Sequence, residues 1–178
     1  ALYDVYPMDA QQVALVEEYS RNLERQIVET VGKAIAGLAP ARVSAGQGVT
    51  GFAVNRRNNM EADVPKLRDQ QALKGPVDHS VPVLTVESPD GKLKAVVFGY
   101  ACHNTTLSFY QWCGDYAGFA QAALERSHPG AVALFHMGCG ADQNPLPRRE
   151  VYQAERYGQM LAAAVEEVLL QPPPRLEP

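Results

Sequence analysis

One stretch, Ala95 to Pro147, holds three of the four histidines and all three cysteines of the chain. It opens as AVVFGYACHNTTLS, continues through GDYAGFAQAALERSHPG and closes as AVALFHMGCGADQNPLP. Two apolar, β-rich runs each end in polar, Gly-containing sequence, and strand ends of that kind are where α/β folds place ligands. His103 follows directly on the first run and precedes Asn104, Thr105 and Thr106. An imidazole emerging there among groups able to orient it suits a metal ligand, because a ligating histidine donates its second ring nitrogen to a nearby acceptor. A structural histidine is the alternative that these residues leave open. The loop Gly138 to Pro147 is expected to face His103.

Other chemistries find little support. Successive strand side chains point to opposite faces, so Cys102 is not expected to share a metal with His103. The spacings of Cys102, His103, Cys113 and Cys139 match no common zinc-finger pattern. There is no GxSxG elbow for a serine triad, no GxxxxGK[ST], no HExxH and no deaminase HxE with PCxxC. GCGADQ lacks the third glycine of a dinucleotide fingerprint.

The supporting elements follow from periodicity. Ala10 to Leu38 carries apolar residues at three- and four-residue steps (Val13, Val16, Leu23, Ile27, Val31, Ile35), with Asp9 as N-cap and Pro40 beyond the end. A helix covering a sheet is expected. Ala41 to Phe52 alternates as a strand, and its three glycines suggest a bulge or a close backbone approach. Ala53 to Ser80 has no sustained period and is long for a connection, which points to a functional or mobile loop. Asn55, Arg56 and Arg57 open it, either to bind an anionic group or simply solvated. Ser80 to Ser88 and Lys92 to Cys102 flank a Pro-Asp-Gly turn as a β-hairpin. Both of its faces read as buried, which places it inside a sheet. Asp115 to Ser127 is expected to be a helix with Asp115 as N-cap. Gly130 to Met137 reads as a short buried strand, and Arg149 to Leu170 as a second amphipathic helix stopped by three prolines. This order predicts an α/β domain, a mixed β-sheet packed with helices in layers.

At 178 residues the chain suits a single or partial domain, with 171–178 as a Pro-rich tail. A hydrophobic content of 46% and a charged content of 20% are ordinary for a globular protein. The net charge of -4 argues against a nucleic-acid surface. No apolar run approaches the ~20 residues that span a bilayer, and Ala1 to Ala10 has no signal-peptide pattern. The missing initiator Met suggests a processed chain or an excised fragment. Cysteine count leaves the disulfide state of Cys102, Cys113 and Cys139 open.

The ordered set NRR after a Gly-rich strand, VDHSVPVL, the Pro-Asp-Gly hairpin, FGYACHNTTLS, GDYAGFAQ and FHMGCGADQNPLPR resembles the catalytic domain of the neutral (alkaline, non-lysosomal) ceramidase family. The likeness runs from about Arg42 to Val168. It implies part of a zinc-dependent amidase that cleaves the N-acyl bond of a lipid amide, secreted or periplasmic, with zinc held by two histidines, a glutamate and a tyrosine. One of those histidines falls on His103, and the family's Gly-Asp pair falls on Gly114 and Asp115. The family's nucleophilic serine falls on Asn144, which can donate a hydrogen bond to an oxyanion but cannot attack a carbonyl. Hydrolysis would then lean on zinc-activated water, with Asp142 as base or loop cap. Asn55, Arg56 and Thr105 are the candidate substrate-binding residues. The other metal ligands have no counterpart in this sequence, and one imidazole cannot hold a catalytic zinc, which takes about three protein ligands. The resemblance therefore implies a fragment of a larger domain, inactive alone, whose site the rest of the parent protein completes. A non-catalytic relative that keeps the fold for binding is the second expectation, and an unrelated α/β domain the third.

Overall fold

The computed structural model describes residues 5, 7–171, 174 and 176. They fall into two units, Ala1–Pro40 and Ala41–Pro178.

The first unit is one helix, α1 (Ala10–Ala36). Asp9 Oδ1 accepts the Gln12 N–H at 2.8 Å, and Gln12 Oε1 accepts the Asp9 N–H at 3.0 Å, a reciprocal capping box. None of its residues is buried. Within this unit its apolar stripe, Leu23, Ile27, Val31 and Ile35, is exposed. Periodicity forecast the helix, because spacing is a local property. What covers its apolar side is not local.

The second unit is built on a four-stranded mixed sheet in the order β1-β3-β4-β5. β1 (Arg42–Val49), β3 (Ser80–Glu87) and β4 (Leu93–Tyr100) run antiparallel in succession, and β5 (Val132–Met137) lies parallel to β4. The Pro-Asp-Gly turn sets the β3–β4 register, with Val83 opposite Phe98 and Thr85 opposite Val96. The parallel β4–β5 pair needs a crossover, supplied by α3 (Asp115–Ser127). α4 (Val151–Leu170) packs beside α3 and reaches β1 and β3.

Both helices cover one face of the sheet. Val81, Val83, Val96, Phe98 and Ala133 are buried there against Ala120, Leu124, Leu161 and Val165. On β1, a Cβ at Gly48 would collide with the Ala164 carbonyl of α4, which is the close backbone approach expected of this strand. On the other face, among the described residues of this unit, Leu84, Val86 and Val97 are half-buried, while Val132 and Leu134 are about half exposed. The hairpin does lie inside the sheet, but the reading that both its faces are buried is corrected. β5 is likewise an edge strand, and among its residues only Ala133 is buried. Apolar side chains alternate with other apolar ones here, and such a run cannot reveal which face a neighbour covers.

The long polar segment is ordered. It contains β2 (Ala53–Asn55), a 3-10 turn (Glu61–Asp63) and α2 (Val64–Asp69). β2 pairs antiparallel with β6 (Gln143–Pro145) in a separate two-stranded sheet. Among the described residues of the tail, Leu176 donates its N–H to the Val43 carbonyl at 2.8 Å. The remainder of the expected Pro-rich tail lies outside the described residues.

Candidate functional site

Three buried tyrosines around Phe52 set the position of the site. The Phe52 ring lies 4.6 Å from Tyr100, 5.0 Å from Tyr116 and 4.7 Å from Tyr157, centroid to centroid. Each hydroxyl reaches out of this cluster to a main-chain group, since a buried O–H must find a partner. Tyr100 donates to the Thr50 carbonyl at 2.7 Å and accepts the Ala53 N–H at 3.1 Å. Tyr116 donates to the Cys102 carbonyl, and Tyr157 to the Pro147 carbonyl, both at 2.6 Å. Burial pushes all three phenols up, so they remain protonated donors. The three segments that they hold are the link into β2, the turn before His103 and the end of the Gly-rich loop.

Those segments meet beyond the carboxyl ends of β4 and β5. His103 donates its backbone N–H to the Gln143 carbonyl at 3.0 Å. His103 Nδ1 lies 3.0 Å from the same oxygen. A carbonyl can only accept, so Nδ1 carries the proton and Nε2 of the neutral ring keeps its lone pair. Nε2 has no hydrogen-bond partner among the described residues. The loop closes on this turn because Gly140 lies against Ala101 and Cys102, where a Cβ would come within 2.6 Å of the Cys102 nitrogen. The Gly138 N–H also donates to the Tyr100 carbonyl at 3.0 Å.

The pairing of β2 with β6 brings Asn55 and Arg56 alongside. Asn55 is 2% exposed, and its amide is fully engaged. Nδ2 donates to the Pro76 carbonyl and to Asp142 Oδ2, while Oδ1 accepts the N–H groups of Arg57 and Asn58. Its part is to hold the loop and the Asp142 carboxylate. Arg56 donates Nε to the Ala141 carbonyl at 3.1 Å and stays exposed. Asn144 is buried on β6 opposite Val54.

Thr105 is held from the other side. Its Oγ1 accepts from Arg148 Nη1 at 3.2 Å, and Arg148 forms a two-pronged pair with Glu61, the shortest contact being 2.7 Å. That guanidinium holds the Glu61 carboxyl below the usual carboxylate range. Thr106 Oγ1 and Asn104 Oδ1 are buried without a protein partner among the described residues.

Two sequence readings change here. Gly114, not Asp115, is the N-cap of α3. Asp115 instead takes the left-handed conformation (φ 52°), and its buried carboxylate accepts the N–H groups of Leu107 and Tyr116, both at 2.8 Å. An aspartate tolerates that conformation because it can bond locally. The cysteines, left open by their number, are all free, with Cys102 buried and Cys113 and Cys139 exposed.

Among the described residues, His103 is the one imidazole beside the Gly-rich loop. Among the described residues no group of three His, Cys, Asp or Glu side chains could hold an ion. His79 Nε2 contacts the Ala53 carbonyl, His128 pairs with Glu166, and the His136 ring lies over Gly99. The described residues alone therefore do not fit a catalytic zinc. Sequence reasoning missed Tyr100, Tyr157, Gln143, Glu61 and Arg148 as positioning residues. Of these, Tyr100, Gln143 and Arg148 stand inside the motifs that carry the resemblance, whereas Glu61 and Tyr157 do not.

The chain has an α/β fold shared with part of neutral ceramidase. It superposes on a ceramidase complexed with C2 with a TM-score of 0.67 and 20% identity, covering 83% of this chain and 25% of that one. Against neutral ceramidase from Pseudomonas aeruginosa the TM-score is 0.67 and the identity 20%, with 85% and 26% covered. The chain thus spans about a quarter of the length of these ceramidase chains. No protein-family model matches the sequence, and no curated protein matches it.

Proposed function

We propose that this chain is part of a hydrolase of the neutral ceramidase type, acting on the N-acyl bond of a small-molecule or lipid amide and inactive as these residues alone. One observation carries the reading: the Gln143 carbonyl orients the His103 ring so that its Nε2 lone pair is free beside the Gly-rich loop. The superposition on ceramidase chains supports it at the level of fold. His103 would supply one ligand of a zinc ion completed by residues outside these, and the ion would supply Lewis-acid activation of water. Arg56 and Thr105 contact the substrate, while Asn55 orients Asp142. Asp142 would accept the proton of the water that attacks the acyl carbon and return it to the departing amine nitrogen, while Asn144 would donate a hydrogen bond to the developing oxyanion.

A second reading, a ceramidase-like binding domain without catalysis, rests on Asn144, an amide at the position of the family nucleophile and 8% exposed. The test is zinc analysis and hydrolysis of an N-acyl amide lipid by the protein in its natural full length, with His103→Ala alongside. Stoichiometric zinc and turnover, both lost in the variant, are expected. Zinc without turnover favours the binding domain, and a metal-free, inactive protein overturns the hydrolase.

A further inference from the structure

A cavity of about 120 Å³ lies at the foot of α4, between it and the segment that follows β6, away from the His103 turn. Its polar lining is Arg68, Arg156 and Gln153, and no carboxylate lines it. Among the described residues neither arginine has an acidic partner within 4.0 Å. Arg68 is half-buried and spends only Nη2 on protein acceptors, the Leu146 carbonyl at 2.9 Å and the Phe52 carbonyl at 3.4 Å. Its Nε and Nη1 have no acceptor among the described residues. Gln153 is 8% exposed and its Oε1 accepts the Glu150 N–H, while its Nε2 has no acceptor among the described residues, in a side chain that lines the cavity.

The remaining walls, Tyr152, Tyr157 and Met160, are aromatic or soft. Burial pushes the Tyr157 phenol up, and the positive charge of Arg68 and Arg156 opposes that shift. Two guanidinium side chains lining one concavity with no carboxylate there favour an oxyanion between them. The planar fork of arginine suits such a group, through paired N–H donors. A volume this small takes the anionic end and a short stem, not a whole drug-sized molecule.

We infer that this cavity is a binding site for a carboxylate carried on a small apolar or aromatic stem, the carboxylate meeting Arg68, Arg156 and the Gln153 amide while Tyr152 and Met160 flank the stem. The inference is independent of the hydrolase reading. It is tested by NMR titration of the 178-residue chain with benzoate, benzamide and inorganic phosphate. Benzoate is expected to saturate and to shift the amides of residues 152–157. Benzamide, which lacks the charge, should bind at least about ten-fold more weakly, and so should phosphate, which lacks the stem. Arg156 is exposed, so Arg156→Gln keeps the fold and should cost a similar factor for benzoate. The site is overturned if benzoate fails to saturate at tens of millimolar, if benzamide matches it, or if Arg156→Gln leaves its affinity unchanged. Phosphate binding as tightly as benzoate would also overturn the assignment, since charge alone would then be read.

Discussion

The carbonyl oxygen of Gln143 receives two hydrogen bonds from one residue, His103, through its backbone N–H and its Nδ1, each at 3.0 Å. This double contact joins the turn after β4 to the loop after β5 and fixes which ring nitrogen is free. The neutral ring is therefore expected to be the Nδ1-protonated tautomer, visible in the 15N chemical shifts of His103. Replacing His103 with alanine removes one of the two bonds and should cost about 1 kcal/mol in a urea melt. A ring found protonated at Nε2 would contradict the arrangement.

Glu61 couples stability to pH. Its hydrogen bonds from Arg148 hold the carboxyl below its ordinary value. A carboxylate depressed in the folded state contributes stability that is present above its unfolded pKa and lost as pH falls through the folded one. The Glu61 side chain is 41% exposed, so solvent screening limits the pair to about 1 kcal/mol. Glu61→Gln should lose that amount at pH 7. The difference from wild type should vanish in acid below the folded pKa, as read by denaturant midpoints across pH.

Gly140 and Gly32 should respond oppositely to alanine. At Gly140 a Cβ would meet the backbone of Ala101 and Cys102, so Gly140→Ala must push the loop off the His103 turn, at about 1–3 kcal/mol. At Gly32, inside exposed α1, a Cβ meets nothing within 4 Å. There Gly32→Ala should raise helix content, by about 1 kcal/mol in helix propensity. Circular dichroism and denaturation of the two variants separate these effects.

The three cysteines should divide in reactivity. Cys113 and Cys139 are exposed and free, whereas Cys102 is buried and its thiol is pushed up by that burial. Reactivity follows the accessible thiolate. A maleimide should therefore add twice to the native chain and a third time only after unfolding, counted by intact mass. Triple labelling without denaturant would show that the Cys102 pocket is not closed.

Local chemistry was legible in the residues alone. The helix over 10–36, the Pro-Asp-Gly hairpin, the helices before and after β5, and the placement of His103 at a strand end all rest on spacing and turn residues, which act over a few positions. The mixed sheet followed from the order of those elements. Three-dimensional packing decided the rest. Within the sheet unit it set both helices on one face and left the other face half-buried where the apolar run read as doubly buried. It also replaced Asp115 with Gly114 as the helix cap. Above all, it paired β2 with β6, so that Asn55 and Asp142, 87 positions apart, share a hydrogen bond. A pairing of that kind depends on where distant strands come to lie. No local pattern along a chain records it, because buried polar groups are satisfied by whatever the fold brings near.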